Sequence, residues 1–327
     1  MQAAWYERRG PAAEVLVVGE MPDPEPGAGE LRIRLAASGV NPGDVKKRSG
    51  WQGSPMPYPR VVPHSDGVGI VDAIGAGVDA SRIGQKVWCF GAQSYRAFGT
   101  AAEHVVVPQG LAVALPPEAG TVLMEQAACL GIAGITGWRA VFADGSVRGL
   151  TLLIWGAASG VGAVALQMAV RDGARVLAVV RQPAQREIAQ AMGAQAVFLA
   201  DAPDLVDALR ASAPDGVHRI AEVDFGAHID IDAKLLAVGG VICAYASADD
   251  RPPIPYRTLG FADATLRLLG SDDFAPAIKA RAASELTAAL AEGKLATTIG
   301  ARLPLGQIVQ AHERVERGGG GRTLLIV

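Results

Sequence analysis

One segment constrains the fold more than any other, the run TLLIWGAASGVG at residues 151–162, which leads into an apolar helix-forming stretch. Its apolar start predicts a buried strand, and the small residues after it predict a tight turn that opens a helix. Backbone amides and the positive end of a helix dipole can meet a pyrophosphate at such a turn. We therefore predict a dinucleotide site whose phosphate-binding residues are Ala158, Ser159, Gly160 and Val161. The alternative is a tight turn without a ligand, since Ala157 and Ser159 stand where glycines are commonest in this motif.

The order of predicted strands and helices differs between parts of the chain. Predicted helices begin at about residues 161 and 184, and predicted strands lie at 152–155, 175–180, 196–199, 219–223, 241–245 and 265–269. This alternation predicts a doubly wound parallel sheet. The first part of the chain instead predicts short strands separated by Gly and Pro, at 15–18, 31–35, 68–73, 87–90 and 104–107. The tail predicts helices at 277–292 and 305–316 and a strand at 323–327, and periodicity leaves open which sheet the tail joins.

Length and charge narrow the class of protein. At ~150 residues per domain, 327 residues predict two domains. The 30 basic and 33 acidic residues give a net charge of −3 without a basic run, which argues against a nucleic-acid or anionic-membrane partner and favours a small neutral molecule. Residues 149–170 carry no charge, but the glycines in their middle argue against a membrane span.

Cysteine usage bears on the compartment and on metals. Cys89, Cys129 and Cys243 lie far apart and form no CxxC pair, so neither a disulfide framework nor a thiolate metal cluster is predicted. The start of the chain, MQAAWYERRGP, lacks the pattern of a secretory signal. We expect a cytoplasmic protein.

The second strand of the predicted dinucleotide unit ends at Arg181, where an NAD-binding unit would carry an acidic residue for the ribose hydroxyls. Arg181, together with Arg186 one turn into the next helix, would instead pair with a 2′-phosphate. We therefore predict NADPH as the cofactor. The alternative is that both arginines are solvated surface charges.

Taken together, the motifs resemble the zinc-independent quinone oxidoreductases of the medium-chain dehydrogenase/reductase superfamily, the zeta-crystallin-like group. The order and spacing of several segments carry this resemblance: SGVNPGDVKKRSG (38–50), VPHSDGVGIVDAIGAGV (62–78), CLGIAGITGWRAVF (129–142), GAASGVG (156–162), AEVDFG (221–226), AHERVERG (311–318) and the closing GRTLLIV. The resemblance implies an α/β chain with a GroES-like β-rich catalytic domain, residues 1–120 with 266–327 returning to it. Residues 121–265 would form a Rossmann NADP-binding domain, and the protein would be a homodimer.

The resemblance also bears on metal binding. Zinc-dependent relatives hold their metal at positions that correspond here to Asn41, Ser65 and about Ile132, and none of these residues can hold zinc. We therefore predict no metal. His64 lies beside a ligand position, but a shift by one residue in an extended segment would turn its side chain away. We interpret it as a structural histidine without a partner.

Without a Lewis acid, the chemistry implied is hydride transfer from NADPH to an electron-poor acceptor, a quinone or an activated alkene. Asn41 is the candidate donor to the acceptor oxygen, or else orients the nicotinamide amide; its alternative is an Asn-Pro turn. Lys46 either assists that oxygen or points to solvent. Trp51 and Tyr58 supply aromatic surface or core packing. The resemblance assigns four further cofactor positions, each with an alternative as a helix, turn or surface residue: Thr136, Asp224, Tyr245 and Arg317.

Two rival functions stay open at this point. One is a reductase of α,β-unsaturated aldehydes, ketones or acyl thioesters, which would use the same hydride. The other is a nucleotide-binding structural protein without turnover, as crystallins of this family suggest. Asn41 and Thr136 argue against the second rival.

Overall fold

The computed structural model describes residues 1–50, 53 and 55–327. The chain folds into two compact units: unit 1 consists of Met1–Ala133 and Pro276–Val327, and unit 2 of Gly134–Ala275. The functional boundaries expected near residues 120 and 266 stay a prediction. Within the described residues, no helix is long and apolar enough to cross a membrane.

Helices and strands follow one another closely along the chain. The first part contains β1 (Gln2–Trp5), α1 (Ala12–Val15), β2 (Val17–Glu20), β3 (Glu30–Val40), α2 (Pro42–Ser49), β4 (Asp66–Ile74), β5 (Lys86–Cys89), β6 (His104–Pro108), β7 (Ala112–Ala114), α3 (Thr121–Ala127) and α4 (Ile132–Phe142). The middle contains β8 (Thr151–Trp155), α5 (Gly160–Asp172), β9 (Arg175–Val180), α6 (Gln185–Ala191), β10 (Ala196–Leu199), α7 (Leu205–Ser212), β11 (Val217–Glu222), α8 (Phe225–Leu235), β12 (Leu236–Ala244), α9 (Tyr256–Phe261) and β13 (Thr265–Leu268). The tail contains α10 (Pro276–Ala291), β14 (Ile299–Pro304), α11 (Ile308–Glu316) and β15 (Arg322–Ile326).

Unit 1 is built on a sheet whose strands follow the order β14-β15-β3-β4-β5-β7, with β6 also paired to β3. The tail therefore joins the first sheet, which periodicity alone left open. Thr323 of β15 pairs with Val40, and Asp66 of β4 pairs with Gly39. The end of β3 and the starts of β4 and β15 thus meet at one edge of the sheet.

A helix begins where β3 ends. Asn41 is extended, with φ −114° and ψ 153°, and Pro42 follows as the first helical residue of α2. The Asp44 carboxylate accepts a hydrogen bond from the Asn41 backbone N–H at 2.8 Å, and Gly50 closes the helix with φ 88°. This local chemistry fixes the Asn41 backbone at the edge of the sheet.

Unit 2 contains a six-stranded parallel sheet in the order β10-β9-β8-β11-β12-β13. Its strands are buried on both faces, as the core residues Ile154 and Leu153 on opposite sides of β8 illustrate. Strand order reverses between β8 and β11, so the carboxyl ends of these two strands flank the crevice where open α/β sheets bind their ligands.

Several parts of the secondary structure differ from the prediction, and the clearest differences concern strands. The strand expected at 15–18 is wrong at its start, because α1 runs to Val15 after Pro11 and β2 begins only at Val17. β3 extends to Val40, well beyond the expected end at residue 35. Among the strands, β1, β7 and β14 were not predicted; β14 alternates half-buried and exposed residues and has no fully buried face to signal a strand.

Candidate functional site

A buried polar group lies at the sheet edge of unit 1, where β3, β4 and β15 meet. The Asn41 side-chain amide donates to Asp66 Oδ2 at 2.8 Å, and Asn41 Oδ1 accepts from the Arg322 guanidinium at 2.6 Å. The same Arg322 nitrogen lies 3.9 Å from Asp66 Oδ2. Asn41 therefore bridges the buried Asp66 carboxylate and the buried Arg322 guanidinium.

Asp66 is held by the backbone as well. Both of its carboxylate oxygens accept from the N–H of Ile132, the first residue of α4, at 3.0 Å. A Cβ on Gly131 would collide with this carboxylate, so glycine is required there. Burial raises the pKa of Asp66 to about 7 against the opposing effect of Arg322, and burial likewise raises the pKa of Asp44 to about 6.

This arrangement limits what Asn41 can do chemically. Its side chain is only 1% exposed, and both its oxygen and one amide hydrogen are engaged. The Asn41 side chain also hydrogen-bonds the Asp44 carboxyl, which lowers the pKa of Asp44 against the effect of burial. Lys46, the other catalytic candidate, lies on the exposed face of α2, which agrees with its solvent-facing alternative. Trp51 lies outside the described residues, and the Tyr58 hydroxyl donates to the Tyr95 carbonyl.

The residues at the expected metal-ligand positions do not fit zinc. Asn41 and Ile132 both contact the Asp66 carboxylate, and the third position is the buried hydroxyl of Ser65. Zinc in proteins is bound by Cys, His and carboxylate groups. Across residues 1–50, 53 and 55–327, no three such groups converge on one point where they would hold a metal ion.

His64 does not behave as predicted. Its backbone is left-handed, with φ 76°, rather than extended, so the argument from an extended segment is wrong. It also has partners: its Nε2 lies 2.9 Å from Nε2 of His312, and its Nδ1 lies 2.9 Å from Ser38 Oγ. Both rings are fully buried, and burial lowers the pKa of His64 and brings that of His312 to about 3.

The Gly-rich turn of unit 2 is tight and leads directly into α5. Gly156 has φ 61°, and a Cβ on Gly162 would collide with the Gly156 carbonyl. Ser159 caps α5, its hydroxyl accepting from the Gly162 N–H at 3.3 Å. The amides that begin α5, at Gly160 and Val161, have no partner within the helix. Small residues and free amides at a helix N-terminus fit a pyrophosphate.

The two candidate arginines after β9 differ. Arg181 is exposed, whereas one Arg186 nitrogen donates to the Val197 carbonyl at 3.0 Å. Gln185, which sequence reasoning did not single out, accepts from the backbone N–H of Arg181 at 3.1 Å and of Gln182 at 3.0 Å. The loop amides are therefore occupied, which leaves the Arg181 side chain as the available cation.

The remaining sequence candidates have diverse surroundings. Thr136 is buried on α4. Asp224 Oδ1 accepts from the Ala248 N–H at 2.9 Å, which ties the turn after β11 to the loop after β12. The buried Tyr245 hydroxyl has no hydrogen-bond partner of good geometry within the described residues, and burial raises the pKa of Tyr245. Arg317 is 69% exposed and pairs with Glu313 at 3.6 Å, which agrees with its surface alternative.

Asp66 and Arg322 were both missed by the sequence reasoning. The available signal was a charged residue at the start of an otherwise apolar strand, in DGVGIVDAI and RTLLI. Buried charges of this kind are rare unless they are paired. The sequence does not reveal that these two share Asn41 as a partner.

Comparison with known protein families agrees with this architecture. The family described as alcohol dehydrogenase GroES-like domain matches residues 27–117, and the family described as zinc-binding dehydrogenase matches residues 160–282. The predicted fold class, a GroES-like β-rich domain with a Rossmann domain, is thereby confirmed. Together they define a medium-chain dehydrogenase/reductase, an oxidoreductase that works with a nicotinamide cofactor.

Two individual relatives identify the family within this class. The quinone oxidoreductase of Rattus norvegicus is 30% identical over 314 residues, which cover 93% of this chain and 91% of the rat protein. That of Homo sapiens is 28% identical over 333 residues, covering 98% and 96%. The chain belongs to the quinone oxidoreductase family of the medium-chain dehydrogenase/reductases.

Solved structures agree in fold and differ in the cofactor named. An NAD-dependent alcohol dehydrogenase superposes with a TM-score of 0.88 at 28% identity, and a mycobacterial protein complexed with NADPH with a TM-score of 0.84 at 26% identity. Both comparisons cover 100% of each chain.

Proposed function

We propose that this chain is an NADPH-dependent reductase that transfers hydride to a quinone without a metal ion. The observation that carries the proposal is the buried group of Asn41, Asp66 and Arg322. Two positions that hold metal in zinc-dependent relatives here contact one carboxylate, so the acceptor must be reducible without a Lewis acid. Quinones meet that requirement, and relatives across nearly the whole chain are named quinone oxidoreductases.

A bound nicotinamide dinucleotide supplies the hydride in this reaction. The amides of Gly160 and Val161 would bind its pyrophosphate, and Ala158 and Ser159 are small enough to let it approach. Arg181 would pair with the 2′-phosphate of NADPH. Asn41 donates from its side-chain amide to the acceptor oxygen, where negative charge develops. Thr136, Asp224 and Tyr245 serve the nicotinamide end by resemblance alone.

The homodimer expected from the family is supported by the edge of the unit 2 sheet. Among the described residues β13 pairs with β12 alone, so its other edge is open. Large apolar side chains near this edge are exposed: Phe261 by 87%, Leu268 by 75% and Val238 by 82%. An open strand with exposed apolar neighbours favours pairing with a second copy. The three cysteines are free and buried, which supports a reducing compartment, and we propose the cytoplasm.

The test combines metal analysis with an acceptor screen. Purified protein is treated with a chelator, its zinc content is measured, and oxidation of NADPH and of NADH is followed with quinones and with α,β-unsaturated ketones, aldehydes and acyl thioesters. We expect turnover of NADPH with quinones that survives chelation. One zinc per chain with activity lost on its removal would overturn the metal-free mechanism. Turnover with the unsaturated carbonyls alone would identify the rival reductase, and cofactor binding without any turnover would identify a non-catalytic protein.

A further inference from the structure

A second buried polar cluster lies in unit 2, where β8 and β11 end. We name Trp155, Glu222, His228 and Asp232 the β8/β11 cluster. Glu222 and Asp232 are each 0% exposed. Trp155 Nε1–H donates to Asp232 Oδ1 at 2.8 Å, and its ring stacks on that of His228, with centroids 3.8 Å apart and planes 7° apart.

The hydrogen bonds of Glu222 fix the roles of its oxygens. Oε1 accepts from the Asp224 backbone N–H and lies 2.8 Å from His228 Nδ1. Because Oε1 is already an acceptor, His228 carries its proton on Nδ1. Glu222 Oε2 and Asp232 Oδ2 are buried and receive no hydrogen bond from any other described residue.

These two unused oxygens require a proton. Asp232 and Glu222 are neighbours, and their two buried oxygens without a donor among the other described residues are satisfied when one of the acids keeps a proton and donates it to the other. Burial, followed by the charge of Glu222, raises the pKa of Asp232 well above its usual value. Asp232 therefore donates a proton to Glu222.

The cluster joins the two turns that flank the crevice of the sheet. Trp155 is the residue before Gly156, where the Gly-rich turn begins. Glu222 ends β11 and holds the Asp224 N–H, and the Phe225 N–H in turn donates to the Ala246 carbonyl at 3.0 Å. The shared proton thus connects the Gly-rich turn with the turns after β11 and β12.

We propose that Glu222 and Asp232 are positioning residues for the dinucleotide, and that the proton they share sets the spacing of the two turns which bind it. This inference rests on the proposed dinucleotide binding. Neither residue touches the cofactor; both act through Trp155 and Asp224.

The proposal makes cofactor affinity sensitive to pH in one direction. Of the elements packed against α8, β11 contributes Glu222, whereas α7, α9 and β12 contribute no described charged group that bears on Asp232. β8 contributes the uncharged Trp155 indole, and α8 itself contributes His228. No other charged side chain among the described residues bears on the Asp232 pKa. Raising the pH removes the shared proton, and the two buried carboxylates then repel each other. The repulsion moves the two turns apart, so the affinity for the dinucleotide falls.

The experiment measures the dissociation constant of NADPH by calorimetry between about pH 6 and about pH 9, in the parent and in four variants. D232N and E222Q each replace one acid by an amide that donates the missing hydrogen bond. We expect both to abolish the alkaline loss of affinity. E222A removes the acceptor for Asp224, and we expect affinity at least about tenfold weaker at every pH, the size of one charge-assisted hydrogen bond. D230N is the matched control, because Asp230 is an exposed acid on the same helix, and it should keep the pH profile of the parent.

The indole Nε1–H resonance of Trp155, assigned with W155F, gives a second readout. It should shift with pH in the parent and stay constant in D232N. Identical pH profiles in the parent and D232N, or undiminished affinity in E222A, would overturn the inference while the parent still binds NADPH. A parent that binds neither NADPH nor NADH would instead overturn the proposed function, and this inference with it.

Discussion

The Nε2 atoms of His64 and His312 lie 2.9 Å apart inside unit 1, and the hydrogen bonds around them define which nitrogen carries each proton. Thr100 donates to the Asp66 carbonyl, so it must accept from Ser38, which in turn accepts from His64 Nδ1. His64 Nε2 is then the acceptor and His312 Nε2 the donor. Both rings are neutral, and Nδ1 of His312, which is buried without a hydrogen-bond partner among the described residues, is a costly place for a further proton.

The neutral pair predicts loss of stability in acid. His312 has a pKa of about 3 in the folded chain and about 6.5 when unfolded, so between these values the unfolded chain binds the extra proton. The free energy of unfolding should therefore fall as pH drops below about 6.5, by about 2 kcal/mol for this residue at pH 5. Urea unfolding of the parent and of H312N at pH 7.5 and pH 5 checks this. H312N should lose less than the parent, and H104N, outside the pair, should lose as much. Equal losses in parent and H312N would contradict the assignment.

Asn41→Ala should damage both turnover and stability. The change removes the amide that joins Asp66 to Arg322, and a buried group left unsatisfied costs ~1–3 kcal/mol. If the side-chain amide also donates to the acceptor oxygen, its loss should raise the barrier by a further ~3 kcal/mol, so that turnover falls about 100-fold with a smaller change in NADPH affinity. Steady-state kinetics and calorimetric binding on folded protein separate the two effects. Ser65→Ala is the control, since its buried hydroxyl has no partner within the described residues. Unaltered turnover in N41A would remove Asn41 from the site.

Arg181→Ala should erase most of the preference for NADPH. A charge-assisted hydrogen bond to the 2′-phosphate is worth ~1.5–3 kcal/mol, or roughly 10- to 150-fold in the dissociation constant. NADH binding should change little, and rising salt should weaken NADPH more than NADH in the parent. Arg175→Ala, at the other end of β9, controls for the loss of a positive charge. A parent that prefers NADH, or a variant that weakens both cofactors equally, would refute the assignment.

Substitution at the open sheet edge should separate the proposed dimer. We expect L268K combined with F261K to give monomers by analytical ultracentrifugation, because charged side chains at an edge strand oppose pairing. Val122→Lys provides the control, since Val122 is 73% exposed but lies in unit 1. A parent that sediments as a monomer at micromolar concentration would exclude the dimer.

Sequence patterns predicted what depends on neighbours along the chain. The parallel strands and the turn at Gly156 follow from short segments whose residues interact locally. The partners of Asn41 do not, because Arg322 is 281 positions away and pairing across a sheet leaves no mark on either segment. For the same reason His64 was interpreted as unpaired, although His312 lies against it. Hydrogen bonds between residues far apart in the chain form these buried sites, and the periodicity of apolar residues does not predict them.

The position of β15 between β14 and β3 has a consequence for how the chain is made. Residues 134–275 emerge from the ribosome and can complete their own sheet while residues 276–327 are still to be synthesised. Until β15 has been synthesised, β3 lacks one of its neighbouring strands, and Asn41 lacks its hydrogen bond from Arg322. Unit 1 is therefore the first part of the chain to be synthesised and the last to complete its sheet. A chain released before β15 is made has an open sheet in which Asn41 and Asp66 lack Arg322.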